Sequence, residues 1–128
     1  MNYLLLLIAC SQTPAAPVDP TENLIVPKIA SIATDSKSIN AGADVFSARG
    51  CGGCHAFGHK VVGPDLVGVT SRRTIIWIEK MVLYPSEMTA TDPVAKQLLR
   101  DHMVQMPDQG VTDDEIKLLL AYIKSQGG

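Results

Sequence analysis

The chain has 128 residues, enough for one small domain with tails, and carries a formal net charge of −2. That charge excludes nucleic acid as an obvious partner and argues against association driven by one large charged patch. Apolar residues make up 46% but aromatics only 5%, so a domain of this size has few large side chains for its core.

Taken in order, Tyr3 to Ala9 is an uninterrupted apolar run, far too short to cross a bilayer as a helix. It fits the apolar region of an export signal, at the short end, although no Lys or Arg precedes it. The run closes on Leu7-Ile8-Ala9-Cys10, which resembles the lipobox of bacterial lipoproteins: Leu three positions before the cysteine, a small residue just before it. Residues 1–9 are then a lipoprotein-type signal peptide, and Cys10 is the first mature residue and bears the lipid. The plainer alternative is an ordinary signal peptide, with Cys10 removed or incidental.

Residues 10–40 read as a flexible tether. Pro14, Pro17, Pro20 and Pro27 alternate with small polar residues and show no clean period. Such a segment has a mean span on the order of 30 Å, which lets a small domain swing above a membrane. Two apolar strips, Leu24-Ile25-Val26 and Ile29 to Ala33, do not suit a bare linker. They would pack on the domain or on a partner subunit.

The domain itself is expected over 41–128. Asn40 or a neighbour caps a helix from Ala41 to Arg49, with Val45 and Phe46 inward and Gly42 on the same face as Phe46. Gly50 ends that helix. Cys51-Gly52-Gly53-Cys54-His55 follows, and this is the attachment motif for c-type haem. Two thiols at that spacing add to the two vinyl groups of one porphyrin, and the adjacent imidazole lies under the iron. The intervening glycines let the backbone approach the ring edge without a Cβ in the way. A thioredoxin-like dithiol would follow a strand, and nothing strand-like precedes Cys51. A zinc site would have to use Cys51, Cys54, His55 and His59, four ligands crowded into nine residues. A plain disulfide would not need the histidine. The haem also supplies the large apolar group that the aromatic-poor composition lacks.

Gly63-Pro64-Asp65-Leu66 forms a loop, since proline has no amide donor to continue a helix. Thr70 or Ser71 caps a helix from Arg72 to Leu83, stopped by Pro85. Arg72 and Arg73 fall in its first turn, where the helix dipole disfavours cations. Either haem propionates offset that, or both arginines are simply solvated. Thr91 or Asp92 caps the next helix, which has Pro93 at its first position and runs to about Val104. Gln105 to Gly110 is a loop. Thr112-Asp113-Asp114-Glu115 is a capping box that opens the last helix. No strand pattern occurs, so the expected fold is all-α, four or five short helices around one covalently attached haem.

Iron bound by His55 has one further axial position. A thioether there gives an electron-transferring haem of raised potential, whereas an empty position admits small ligands. Met81 reads as core, and Met88 as a loop residue close to that helix. Met103 and Met106 lie about fifty residues beyond His55, far enough to wrap over a ring. Met106 is favoured because Pro107 holds it extended, while Met103 finishes a helix as core. His102 and His59 are the competing ligands, and His59 is too near His55 in sequence to reach the opposite face.

From about Ala41 to Gln126 the chain resembles a class I monohaem bacterial cytochrome c domain. Gly42 and Phe46, Cys51-Gly52-Gly53-Cys54-His55, Gly63-Pro64-Asp65-Leu66, Met106-Pro107, and Leu118 with Tyr122 carry the resemblance. It implies that the first and last helices cross with glycine and aromatic residues interlocked. It also implies that the Pro64 carbonyl accepts a hydrogen bond from His55, and more weakly that Arg72 and Trp77 meet the haem. Trp77 would equally serve as core. The expected function is a membrane-tethered carrier of single electrons, exported and facing the periplasm or cell exterior, and not an enzyme. Its expected partners are a quinol-oxidising complex and a terminal oxidase or reductase. The rivals are a cytochrome subunit of a larger oxidoreductase complex, and an open-site haem enzyme or gas sensor.

Overall fold

A computed structural model of the chain describes residues 18–127. The expected signal peptide at 1–9, Cys10 and the first part of the expected tether lie outside the described residues. Within them are six α-helices and no strand: α1 (Ser36–Ala48), α2 (Val69–Arg72), α3 (Ile75–Leu83), α4 (Pro85–Thr91), α5 (Pro93–His102) and α6 (Asp113–Ser125). A 3₁₀ turn, Cys51–Gly53, follows α1.

α1 and α6 cross at a point where there is no room for a side chain. A Cβ on Gly42 would stand 2.0 Å from the Leu118 carbonyl oxygen and 2.8 Å from Tyr122 Cβ. Glycine there lets the two backbones touch. One turn further on, Phe46 meets Tyr122 edge-on, with ring centroids 5.3 Å apart, and Phe57 joins both rings at 5.6 Å. Ile116, Leu119 and Leu120 of α6 and Ile78 of α3 form the buried cluster beside this crossing. Each such side chain contributes about 1.5–3 kcal/mol by leaving water.

Four boundaries differ from the sequence expectation, each for a local reason. α1 begins at Ser36 rather than Ala41, because Asp35 and not Asn40 is the cap: its carboxylate accepts from the Ser38 amide (2.9 Å) and hydroxyl (2.8 Å). The helix expected over Arg72–Leu83 is two helices. Arg73 is extended, and Thr74 recaps the chain by accepting from the Trp77 amide at 3.2 Å. Arg72 therefore closes α2 instead of opening a helix, and the dipole there favours its charge. Pro85 both ends α3 and takes the first position of α4, so Met88 lies in a helix, fully buried, and not in a loop. α5 stops at His102. Met103 sits in the left-handed region (φ 56°) and is 86% exposed, not part of the core.

Residues 18–35, read from sequence as part of a tether, lie against the domain. The buried Lys80 ammonium donates to Thr21 Oγ1 at 2.8 Å and pairs with Asp19 at 3.3 Å. The Ile29 amide donates to the buried carboxylate of Glu79 at 3.2 Å, and the Tyr84 hydroxyl to the Ile25 carbonyl at 2.7 Å. Val26 is buried, and Ile29 and Ile32 pack on the core cluster. The two apolar strips thus divide: Val26, Ile29 and Ile32 face the domain, while Ile25 faces water.

Candidate haem site

The 3₁₀ turn carries Cys51 and leads directly to Cys54 and His55, whose amides both donate back to the Cys51 carbonyl at 3.2 and 3.0 Å. Gly50, left-handed at φ 72°, turns the chain out of α1 into this motif. Both thiols are unpaired and half-buried. Burial pushes the Cys51 thiol above its ordinary pKa, the opposite of an activated nucleophile. Of the two intervening glycines, Gly52 lies beside the Phe46 ring, and a Cβ at Gly53 would meet nothing within 4 Å.

His55 is held in one orientation. Its Nδ1 is 2.9 Å from the Pro64 carbonyl oxygen. A carbonyl can only accept, so Nδ1 carries the proton and Nε2 keeps its lone pair. Burial lowers the pKa of the ring, the bond to Pro64 opposes that, and the charge of nearby His102 adds to the lowering. The neutral imidazole is the form that binds a metal. Gly63 packs against the ring: a Cβ there would come within 2.8 Å of His55 Cε1, while its amide is tied to the Cys54 carbonyl at 2.7 Å. Asp65 braces the same loop, its carboxylate accepting from the amides of Gly58 (2.8 Å) and Val67 (2.9 Å), and these bonds hold it below the usual carboxylate range.

These residues border an apolar cavity of about 190 Å³. Cys51, Cys54, His55 and Pro64 line it, as do Leu98 and Leu99 of α5, Met81 and Val82 of α3, and Met106-Pro107. Met103 and Met88 do not line it. His102 does, with its Nδ1 3.3 Å from the Val62 carbonyl; His59 does not. Arg72 and Trp77 are both at the lining. The Arg72 guanidinium bonds to the carbonyls of Val67 and Asp65, and the Trp77 indole N–H donates to Asp92 at 3.2 Å, with Arg73 stacked 5.3 Å from its ring centre. The indole proton is therefore already committed to a carboxylate of the protein.

The donor set fits a covalently bound haem: two free thiols, an imidazole whose Nδ1 is tied to Pro64, a methionine in the lining, and mostly apolar walls. It does not suit zinc; among the described residues no cluster of three or more Cys, His, Asp or Glu side chains is placed to hold a metal. Thr89 and Gln105, which also line the cavity, were not picked out from the sequence. They are sixteen residues apart, and only the packing of α4 brings them together.

The cytochrome c family pattern matches residues 39–127. No curated protein matches the chain. Among solved structures, cytochrome c from Rhodothermus marinus is 28% identical, with a TM-score of 0.72 over 77% of this chain and 86% of that one. An engineered form of that cytochrome, bound to a carbene intermediate, is 27% identical, with a TM-score of 0.68 over 77% of this chain and 87% of that one. The cytochrome c domain of a Pseudomonas putida protein is 30% identical, with a TM-score of 0.58 over 66% of this chain and 86% of that one. The chain belongs to the cytochrome c family and carries one covalently attached c-type haem.

Proposed function

We propose that the protein is a carrier of single electrons, with His55 and Met106 as the axial ligands of its haem iron. The observation that carries this reading is the His55 imidazole, oriented by Pro64 and with its pKa lowered by burial, on a cavity that Met106 also lines. When bound, the haem supplies a one-electron couple between ferric and ferrous iron. Cys51 and Cys54 fix its position, and Pro64 fixes the imidazole that grips it. A soft, neutral thioether favours the ferrous state, and the apolar walls exclude water, which favours it further. No substrate bond is made or broken.

Electrons enter and leave at the mouth of the cavity. Val62 and Val104 line it and are half-exposed, and Met103 and Val61 add apolar surface beside them. This surface suits brief docking of redox proteins, a quinol-oxidising complex on one side and a terminal oxidase or reductase on the other. The chain is exported, and a lipid on Cys10 tethers it to a membrane. No helix among the described residues is long and apolar enough to cross one. Asp19, where the docked arm begins, is nine residues beyond Cys10, so the lipid holds the arm within about 30 Å of the membrane.

A redox titration of the haem-loaded chain beside Met106→Ala tests the ligand assignment. The variant is expected to show a lower midpoint potential and to bind added small ligands readily. An unchanged potential with no new ligand affinity would overturn it. For the tether, Cys10→Ser is expected to move the protein from the membrane to the soluble fraction; a variant still on the membrane would contradict lipidation.

A further inference from the structure

We propose that Gln105 is a positioning residue for Met106, acting through a strap of hydrogen bonds to α4. The inference rests on Met106 as the axial ligand. The stretch between Met103 and Val111 is not helical, so nothing regular holds the residue that must present the thioether. The Gln105 side chain supplies the tie. Its Oε1 lies 2.7 Å from the Oγ1 of Thr89, and its Nε2 lies 3.0 Å from the Met106 carbonyl and 3.3 Å from that of Pro85.

The direction of each bond is fixed by chemistry. Two carbonyl oxygens can only accept, so they must face the NH₂ end of the amide, whose two protons serve both. The amide oxygen then accepts from the Thr89 hydroxyl. That hydroxyl also lies 3.0 Å from Pro85 O and 3.1 Å from Ser86 O, but it has one proton, and the shortest contact is to Gln105. Thr89 and Pro85 are buried in α4, so the anchor is rigid although Gln105 itself is at the surface. Pro107 has no amide proton, so the backbone just after Met106 offers no second tie of the same kind. The next fixed point is the Gln109 carbonyl, a long 3.5 Å from Arg49. Gln105 thus sets where the Met106 backbone lies relative to α4, and with it how firmly the thioether can reach the iron.

The test uses the haem-loaded ferric chain with imidazole as the competing ligand. Thr89→Val keeps the shape and removes the hydroxyl; Gln105→Leu removes the amide. Each is expected to tighten imidazole binding about tenfold, the size that losing the Thr89–Gln105 hydrogen bond implies, and to weaken the red absorption band of the methionine–iron bond. The double variant is expected to match the singles rather than multiply them, and Thr89→Ser, which keeps the donor, to behave as the unaltered protein. A cap variant outside the cavity lining, Asp35→Ala at the start of α1, lowers the melting temperature and is expected to leave imidazole binding unchanged. Unchanged imidazole binding in both Gln105→Leu and Thr89→Val would overturn the strap while leaving the ligand assignment intact. A Met106→Ala protein indistinguishable from the unaltered one would remove both.

Discussion

Gly42 shows most plainly how one residue sets the fold. Its missing Cβ is the space in which the Leu118 carbonyl sits, 2.0 Å from where the methyl group would be. Both partners are backbone or Cβ atoms, which cannot swing aside. Gly42→Ala is expected to cost about 3 kcal/mol or more by forcing α1 and α6 apart, and a denaturant titration of the haem-loaded chain would measure it. Met103 is the reverse case. It occupies a left-handed conformation that a side chain resists, and its side chain is exposed, so nothing in the packing offsets the strain. Met103→Gly is expected to raise stability by about 1 kcal/mol, read as a higher melting temperature. The glycine was legible because Gly42 and Phe46 share a helical face. Methionine 103 was not, because its apolar character suggests core while its position just past His102, the end of α5, demands a sharp turn.

Among the elements, the last two helices were readable from their caps, α1 was read without its start, α2 and α3 were read as one helix, and α4 was missed. Thr112 and Glu115 form the expected reciprocal cap, and Pro93 with Asp92 opens α5 as its composition implies. These signals lie within four residues of each other. The start of α1 depends on Asp35 in a run of small polar residues that resembles linker, and the break between α2 and α3 depends on Thr74 inside an apolar run. Glu115 does more than cap. Arg49 at the end of α1 grips its carboxylate with four contacts of 2.8–3.3 Å, which ties the haem-attachment end of α1 to the start of α6. The Arg49 hydrogen bonds hold the Glu115 carboxyl below the ordinary glutamate range, with the Thr112 amide adding to the effect. Because the folded pKa is depressed, this contribution is whole above about pH 4.5 and is lost as pH falls through the folded value. Melting temperatures measured from pH 7 down to pH 3 are expected to fall less steeply for Glu115→Gln than for the unaltered protein; identical slopes would contradict the pairing.

For the molecule as a whole, the N-terminal arm changes the picture of a domain on a long leash. Its ties reach far along the chain, Lys80 to residues 19 and 21, Glu79 to 29, Tyr84 to 25, and no local pattern announces such contacts. Val26→Ala is expected to cost about 1–2 kcal/mol and to speed proteolysis within the arm, since Val26 is the arm's most deeply buried apolar residue. A free tether would show neither effect. The site divides in the same way. The attachment motif, Gly63-Pro64 and Met106-Pro107 are contiguous, and their spacing discloses them. The Thr89–Gln105 contact, and the committed Trp77 indole proton, exist only because helices from different parts of the chain meet. On the proposed ligation the whole arrangement serves one end, an iron held on one axis by the His55 imidazole and the Met106 thioether. The most direct measurement is near-infrared magnetic circular dichroism of the ferric, haem-loaded protein, which distinguishes the axial pairs. A histidine–methionine signature that is lost in Met106→Ala is the expected result. A two-histidine signature that disappears in His102→Ala, or an open-site spectrum in the unaltered protein, would contradict it.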